Sequence, residues 1–264
     1  MKALEDFIYP TQKKLFKTLR DKYRGRKVFF ADNSFILIRG AAPVMLVAHL
    51  DTVHKNPVKV ICKSDDGNIL MSPQGIGGDD RCGVYALAKI YELAEVKPHL
   101  LFTCDEEVGG IGAKWFCKAH AEGKLPSELD SLKFLVEIDR RGSNDAVFYD
   151  CANPDFEDSL LQFGFRYAHG SFSDISVIAP ELKVAAVNLS SGYHNAHTLH
   201  EYIVRSELET TIEKTLEIVK WATRKDTPRF EYIDAAQYLD DERFYSCEDL
   251  FHDFREKDMS LFGK

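Results

Sequence analysis

Residues 44–54 read Val-Met-Leu-Val-Ala-His-Leu-Asp-Thr-Val-His, an apolar run that passes into polar residues. The run Val44–Val47 is short and continuous, which is typical of a strand buried on both faces of a parallel sheet. His49 and Asp51 therefore follow the carboxyl end of this strand, where open α/β sheets place their ligands. Their side chains point to the same face of extended chain, so one can bind a metal while the other orients the site. No role is expected for His54.

Length and composition limit the class of protein. The 264 residues suit one large α/β domain or two small ones, and 45% apolar and 29% charged residues are ordinary for a globular protein. The net charge of −8 offers no basic surface to nucleic acid. The first residues lack the apolar core of a signal peptide, and no apolar run approaches the ~18 residues of a membrane span. We therefore expect a cytoplasmic protein without nucleic-acid or membrane partners.

The six cysteines are scattered and include no Cys-x-x-Cys pair. In a chain without a secretory signal this pattern indicates reduced thiols, not a disulfide framework or a zinc ribbon. Cys82 and Cys104 lie beside acidic motifs, but we expect both to be small buried packing residues.

Strand and helix patterns alternate along most of the chain. Apolar runs predict further buried strands at 100–103, 134–138 and 184–189, and hairpins at 28–38 and 58–71. Helical spacing of apolar residues predicts helices at 3–22, 84–93, 113–122, 155–165 and from Ser206, where Glu209 completes a capping box. This alternation predicts a single α/β domain with a mixed, largely parallel central sheet and helices on both faces.

The composition changes after residue 225. Residues 226–264 contain 11 acidic and 5 basic residues, so this segment carries −6 of the net charge of −8. Eight aromatic residues are interleaved with the acids, which is too aromatic for a plain disordered tail. We expect the domain to comprise residues 1–225 and the acidic aromatic segment 226–264 to pack on it; the alternative is an arm that binds a partner.

A glycine-rich stretch opens the predicted helix at 84–93. Residues 75–83 read Gly-Ile-Gly-Gly-Asp-Asp-Arg-Cys-Gly, and such glycines let the backbone turn sharply and let another group approach it closely. The stretch matches neither a phosphate-binding loop nor the dinucleotide fingerprint. Taken alone, Asp79 and Asp80 also fit a helix cap.

Acids and histidines follow the other predicted strands as well. The strand ends together supply His49 with Asp51, Asp79, Glu106 with Glu107, Asp139 and His197. Nitrogen and carboxylate ligands without thiolate suit Zn²⁺, or Mn²⁺ and Co²⁺, at a hydrolytic centre. Two histidines and three carboxylates match two metals that share one carboxylate. Because two of the acids are adjacent, one can bind metal while the other takes a proton from water as general base.

These motifs resemble those of the co-catalytic dizinc exopeptidases, a group that includes peptidase T, the carboxypeptidase G and aminoacylase enzymes, and the di-zinc aminopeptidases. The shared motifs, in the same order, are His49-x-Asp51, Gly78-Asp79-Asp80-Arg81-x-Gly83, Asp105-Glu106-Glu107-x-Gly109, Ile138-Asp139 and His197-x-x-x-Glu201. The resemblance implies a zinc exopeptidase, or phosphorylase-hydrolase-like, fold and makes residues 1–225 a dizinc peptidase catalytic domain.

The resemblance also implies a role for each motif residue. Asp79 would bridge two zinc ions, one held by His49 and Asp139 and the other by Glu107 and His197. Glu106 would be the general base. Asp51 would lie behind His49, and Glu201 behind His197. His194 or His200 remains an alternative to His197, although His197 has a glutamate four residues later, as in the family.

One departure from the family concerns the lid or dimerisation domain that peptidase T and carboxypeptidase G relatives insert after the position of Asp139. Ser173 follows Asp139 by only 34 positions, so no such domain fits. Another group must then polarise the developing oxyanion, and Tyr193, His194 and Arg140 are the candidates.

The expected activity is that of a zinc-dependent metallopeptidase, foremost an aminopeptidase, which hydrolyses short peptides through a hydroxide bridging two zinc ions. The first alternative is an N-acyl amino acid amidohydrolase or carboxypeptidase-like enzyme, whose substrate would be an acylated amino acid or a blocked peptide. The second is a catalytically dead binding domain. The oligomeric state is left open.

Overall fold

The computed structural model describes residues 3–26 and 28–236. The helices of this part are α1 (Glu5–Ile8), α2 (Gln12–Lys22), α3 (Gly78–Leu93), α4 (Ile111–Ala121), α5 (Pro154–Leu161), α6 (Ile175–Leu182) and α7 (Arg205–Ala222), with a 3₁₀ helix at Ser127–Ser131. The strands are β1 (Val28–Ala31), β2 (Phe35–Ile38), β3 (Val44–His49), β4 (Cys62–Lys63), β5 (Ile69–Met71), β6 (His99–Thr103), β7 (Phe134–Arg140), β8 (Asp145–Val147), β9 (Arg166–Ala168), β10 (Ala186–Ser190), β11 (Tyr193–His194) and β12 (Tyr202–Val204).

Eight strands form the main sheet in the order β1-β2-β6-β3-β7-β10-β8-β9. The four central strands β6, β3, β7 and β10 run parallel, with His49 opposite Thr103 and Val47 opposite Glu137. Strands β1, β2 and β8 join their inner neighbours antiparallel. The predicted mixed, largely parallel sheet is therefore confirmed.

Side chains alternate between the two faces of β3, which lies in the middle of this sheet. Val44, Leu46 and Ala48 pack into a core shared with α1, α2, α3, α5 and α7, whereas Met45 and Val47 pack into a second core with α4 and α6. All five side chains are fully buried. Helices cover both faces, as the unbroken apolar run predicts.

A second, four-stranded sheet has the order β11-β12-β5-β4. Its strands are only two or three residues long, and the sequence analysis recognised only β4 and β5. The loop between β11 and β12 contains His197. The β-carbon direction of Gly78, at the start of α3, points at Tyr193 and Ile203, so this sheet lies directly against the amino-terminal end of α3.

The residues after Asp139 extend the main sheet. They form β8, α5 and β9, and β9 pairs in parallel with β8 at the sheet edge. In the described chain no separate lid domain interrupts this region, as the short spacing to Ser173 predicts.

The predicted capping box at Ser206 is wrong. Helix α7 begins at Arg205 after Val204, which makes no side-chain cap. The Ser206 N–H donates instead to Asn68 Oδ1 at 2.9 Å, and the Glu209 carboxylate pairs with Lys89. A contact from β5's hairpin therefore replaces the local cap.

The predicted C-terminal segment is described as far as residue 236. Phe230 is buried against Phe134 and Phe156. Asp234 forms an isolated antiparallel β-bridge with Cys151. Residues 237–264 lie outside the described residues, so the division at 225 and the packing of 226–264 stay predictions. None of the helices described is long and apolar enough to cross a membrane; the cytoplasmic location also stays a prediction.

Candidate metal centre

Three adjacent parallel strands bring the predicted ligands to one edge of the sheet. His49 is the last residue of β3, Asp139 lies at the end of β7, and Glu106 and Glu107 follow β6. Since these strands run in the same direction, their carboxyl ends meet. Asn188 of β10 holds the carboxyl end of β7 in place. Its side chain accepts a hydrogen bond from the Asp139 N–H at 2.9 Å and donates one to the Asp139 carbonyl at 3.2 Å.

Asp79 lies between two groups of potential ligands. Its Oδ1 is 3.2 Å from His49 Nε2, which is 3.5 Å from Asp139 Oδ1. Its Oδ2 is 3.2 Å from His197 Nε2, which is 3.1 Å from Glu107 Oε2. One carboxylate thus offers one oxygen to each group, the arrangement that a bridging ligand between two ions requires.

His197 reaches the centre from the loop between β11 and β12. Its backbone is left-handed, with φ of 64°, and non-glycine residues in this region cluster at functional sites. The side chain is 56% exposed, in contrast to the fully buried His49. His194, the alternative considered above, instead contacts Glu207 at 2.6 Å and stacks on Tyr202. The geometry therefore favours His197.

Asp51 contacts both the histidine and the segment with the two glutamates. Its Oδ1 lies 3.2 Å from His49 Nδ1, and its two oxygens accept from the backbone N–H groups of Glu106 at 3.1 Å and Glu107 at 3.0 Å. Burial alone raises the pKa of Asp51, but these contacts hold it below its ordinary value. With Nδ1 donating to this carboxylate, Nε2 of His49 is left to bind metal.

Glu106 lies beside the two ligand groups with its Oε2 4.0 Å from His49 Nε2. Burial, together with the charges of Asp79 and Asp51, raises the pKa of Glu106 above its ordinary value. Burial and the Asp79 carboxylate likewise raise the pKa of Glu107 to about 7. A carboxylate with a raised pKa is a better proton acceptor, which suits a general base.

The centre holds far more negative than positive charge. Its carboxyl groups are Asp51, Asp79, Asp80, Glu106, Glu107 and Asp139, against the two imidazoles of His49 and His197. Burial raises the pKa of Asp139 well above its ordinary value, and a hydrogen bond with Asp79 raises the pKa of His197 to about 9. Buried carboxylates of this density need cations, and nitrogen and oxygen donors without sulfur fit Zn²⁺, Co²⁺ or Mn²⁺.

Asp80 is a possible competitor for the ligand position of Asp79. His49, Asp80 and Asp139 lie close enough together to hold an ion, as do His49, Asp79 and Glu107. Both oxygens of Asp80, however, accept backbone hydrogen bonds, from Gly83 at 2.9 Å and from His49 at 3.2 Å. Asp80 therefore anchors the backbone, and Asp79 is left to face both histidines.

Glu201 differs from its expected place behind His197. Its oxygens accept hydrogen bonds from the Gly77 and Asp79 N–H groups, both at 2.9 Å, and Oε2 lies 2.8 Å from His54 Nε2. Within the part of the chain that the structure describes, Glu201 makes no hydrogen bond to His197. His54, for which the sequence leads us to expect no role, contacts this buried carboxylate with its imidazole.

The three oxyanion candidates are placed differently. Tyr193 is buried and its hydroxyl lies 3.2 Å from the Asp139 carbonyl and 3.4 Å from Asp139 Oδ1. His194 is engaged with Glu207. Arg140 lines the cavity over the ligands but donates to the His169 carbonyl at 3.1 Å and lies 3.5 Å from Asp145.

A cavity of about 290 Å³ opens over the centre. It is lined by four of the predicted ligands, by Glu106, and by residues that sequence reasoning missed: Arg141, Tyr149 and 170–172. Nothing in the sequence marks these residues, because they reach the cavity from the turns around β8 and β9. The volume is at the lower end for ligand pockets.

Solved structures of aminopeptidases are similar to this chain, and three of them serve as examples. Aminopeptidase PepT from Bacillus cereus has a TM-score of 0.62 at 15% identity, covering 84% of this chain and 97% of that one. A tripeptidase from Staphylococcus aureus has a TM-score of 0.63 at 15% identity, with coverage of 84% and 97%. A leucine aminopeptidase precursor from Bacteroides thetaiotaomicron has a TM-score of 0.59 at 14% identity, with coverage of 84% and 95%. The chain has the zinc exopeptidase fold.

The assignment of this fold rests on structural similarity alone. No protein-family profile and no curated protein sequence matches the chain. The five short motifs therefore identified a fold that whole-sequence similarity does not, and the fold that they implied is confirmed.

Proposed function

We propose that the chain is a metal-dependent exopeptidase that hydrolyses short peptides, foremost an aminopeptidase. The position of Asp79 supports this most directly, since its two oxygens face the two histidines at 3.2 Å each. His49 and Asp139 would hold one zinc ion, His197 and Glu107 the other, and Asp79 both. When bound, the ions would lower the pKa of an attacking water and polarise the scissile carbonyl.

Glu106 is the group placed to move the proton. Its carboxylate lies beside both ligand groups and is 11% exposed. We propose that Glu106 takes the proton of the attacking water and delivers it to the leaving amine. Asp51 supports this role because it accepts a hydrogen bond from the Glu106 N–H, which holds the base beside the proposed ligands.

The negative charge that develops on the oxygen of the scissile carbonyl needs a hydrogen-bond donor in addition to the ions. Tyr193 has the only hydroxyl of the three predicted candidates, yet it donates toward Asp139. We therefore propose that Tyr193 orients Asp139 and that Arg140, at the cavity wall, is the stronger candidate for the oxyanion.

A second candidate function follows from the cavity wall. Arg140 and Arg141 line it together with the ligands, and Arg141 has neither an ion pair nor a side-chain hydrogen bond within the described ranges. Guanidinium groups recognise carboxylates. This observation favours a substrate with a free carboxylate near the scissile bond, as in an N-acyl amino acid amidohydrolase or a carboxypeptidase-like enzyme.

A substrate screen separates the two functions. Zinc-reconstituted protein would be incubated with di- and tripeptides in three forms: unblocked, N-acetylated and C-amidated. The aminopeptidase proposal predicts cleavage of the unblocked and amidated forms, with release of the first residue detected by mass spectrometry. The alternative predicts cleavage of the N-acetylated form and loss of activity on amidation.

Metal content must be measured on the same samples. About two zinc ions per chain, together with hydrolysis of any of the three peptide forms, supports the dizinc centre. Two ions without hydrolysis of any of the three would support the binding-domain alternative, and metal-free protein with full activity would contradict the proposal.

A further inference from the structure

His54 and Glu201 form a buried pair beside the metal centre. His54 Nε2 lies 2.8 Å from Glu201 Oε2, and the two side chains are 9% and 1% exposed. Glu201 Oε2 also accepts from the Gly77 N–H, and Oε1 accepts from the Asp79 N–H, both at 2.9 Å. The carboxylate therefore has three donors, of which His54 supplies the only side chain among the described residues.

The pair joins three loops, each of which carries one predicted ligand. His54 lies on the loop that follows β3, whose last residue is His49. Gly77 directly precedes α3, Asp79 lies in its first turn, where the backbone angles are not helical, and Glu201 lies on the loop that carries His197. Positions that are far apart in sequence thus meet at one carboxylate. A shift of this carboxylate would move the backbone of Asp79 relative to both histidines.

The glycines of residues 75–78 allow the Asp79 loop to pack on this pair without intervening side chains. A β-carbon at Gly75, whose φ is 80°, would overlap the His54 imidazole. One at Gly77, with φ of 66°, would lie 2.9 Å from Thr52 Cγ2, and one at Gly78 would lie 3.3 Å from Glu201 Oε1. The imidazole therefore packs directly against the loop's backbone.

We infer that His54 is a positioning residue for the metal centre: through Glu201 it fixes the backbone at Asp79 and aligns the three ligand loops. The inference rests on the metal-binding part of the proposed function. It does not depend on which substrate is hydrolysed.

The physical reason is the cost of an under-satisfied buried carboxylate. Without the imidazole, Glu201 keeps two backbone donors but loses its third, and it remains too buried for water to replace that donor freely. The carboxylate would then shift toward solvent and draw the Gly77 and Asp79 backbone with it. Groups that orient metal ligands from behind typically change metal affinity by 10–100-fold when removed.

The test is metal affinity in the absence of substrate. Zinc would be titrated into metal-free full-length protein in competition with a chromophoric chelator, and the visible absorption of the Co²⁺-loaded protein would report ligand geometry. The variants are His54→Phe, which removes the donor, and His54→Gln, whose amide can still donate to Glu201. His120→Phe is the matched control, because His120 pairs with Glu181 at the same 2.8 Å, on α4 and α6.

We expect His54→Phe to weaken zinc binding by about 10-fold or more and to change the Co²⁺ spectrum. His54→Gln should restore most of the affinity, and His120→Phe should bind like the parent. Unchanged affinity and spectrum in His54→Phe would overturn the inference. So would equal weakening in His54→Phe and His120→Phe, which would indicate general destabilisation.

Two further outcomes are also decisive. Should His54→Phe fail to fold by circular dichroism, His54→Gln is compared with the shorter His54→Asn, and equal affinity in these two variants overturns the inference. If the parent protein has no peptidase activity, the inference still stands provided that metal binding depends on His54. A parent that binds neither zinc nor cobalt contradicts both the inference and the proposed function.

Discussion

Asp79 Oδ2 and His197 Nε2 lie 3.2 Å apart, although one residue opens α3 and the other lies on a loop of the second sheet. The contact is made at the surface of the centre, since the His197 side chain is 56% exposed while Asp79 is buried. One of the two ligand groups can therefore be altered without disturbing the core.

This difference in burial predicts that the two ions can be removed separately. His197→Ala should leave the fold intact and reduce bound zinc from about two ions per chain to about one, because His49, Asp79 and Asp139 are untouched. Zinc is measured by elemental analysis after dialysis. His200→Ala, an exposed histidine on the same loop, is the control and should keep both ions. The opposite result would make His200 the ligand.

Replacing Glu106 by Gln should separate catalysis from metal binding. Gln keeps the size of the side chain but cannot accept a proton, so we expect kcat to fall by about 10²–10⁴-fold with zinc content unchanged. Steady-state kinetics on the substrate found in the screen provides the measurement. Glu95→Gln, at an exposed position, should keep parental kcat. If Glu106→Gln retained full turnover, another residue would have to be the base.

Removing the metal should destabilise the protein. The six carboxyl groups of the centre repel one another without cations, and zinc that binds only the folded state stabilises it by about 2.7 kcal/mol per site at 100 times its Kd. Thermal unfolding of the EDTA-treated protein with and without added zinc measures the shift in Tm. Asp79→Asn should lose most of the shift. An equal zinc-dependent shift in Asp79→Asn would show that Asp79 is not shared by the two ions.

The proximity of the proposed ligands could be predicted because it depends on topology. Once 44–47, 100–103 and 134–138 are recognised as neighbouring parallel strands, their carboxyl ends must meet. His49 and Asp139 then lie close to the segment after β6 that carries Glu106 and Glu107. The His54–Glu201 pair could not be predicted in this way. It depends on the path of the loop at 75–78, whose left-handed glycines bring the backbone against the imidazole.

Local rules failed where a distant partner competed with a near one. The Ser206–Glu209 pattern fits a capping box, but Asn68 takes the Ser206 N–H and Lys89 pairs with Glu209. Strands β8, β9, β11 and β12 are two or three residues long, too short for an alternating pattern to be visible. The turns beside β8 and β9 also bring residues to the cavity, such as Tyr149, and these residues were missed for the same reason.

Gly83 is expected to be intolerant of any side chain. A β-carbon there would overlap the Ile138 carbonyl and the Asp80 carboxylate, because α3 packs directly on β7. Gly83→Ala should therefore lower the free energy of unfolding by about 1–3 kcal/mol, measured by urea denaturation. Gly25→Ala is the control, since within the described ranges nothing lies within 4 Å of its β-carbon position. Equal stability of the two variants would indicate that α3 can move away from the sheet.

His99 should make the protein acid-sensitive independently of the metal centre. Burial, and secondarily the charge of Arg39, lowers the pKa of His99 to about 4, against about 6.5 in an unfolded chain. Between these values the unfolded state binds the proton and the folded state does not, so stability falls as pH drops from about 6.5 to about 4. The full effect is about 3 kcal/mol.

The variant His99→Leu removes this titration. The free energy of unfolding of His99→Leu relative to the parent should therefore rise as the pH is lowered from 7.5 to 4.5, measured by urea denaturation at each pH. The metal centre titrates in both proteins and cancels in the difference. A difference that does not change with pH would mean that His99 has the same pKa in the folded and unfolded states.

The short extension β8–α5–β9 has a consequence for how this fold can be diversified. It starts at the turn beside Arg140 and Arg141 and returns to the cavity at residues 170–172, so both of its ends border the candidate metal centre while its body lies at the sheet's edge. A loop or small domain grafted into this extension would be delivered to the cavity mouth without passing through the core. The chemistry of the cavity mouth would then change by recombination, while the strand ends that carry the proposed ligands are inherited unchanged.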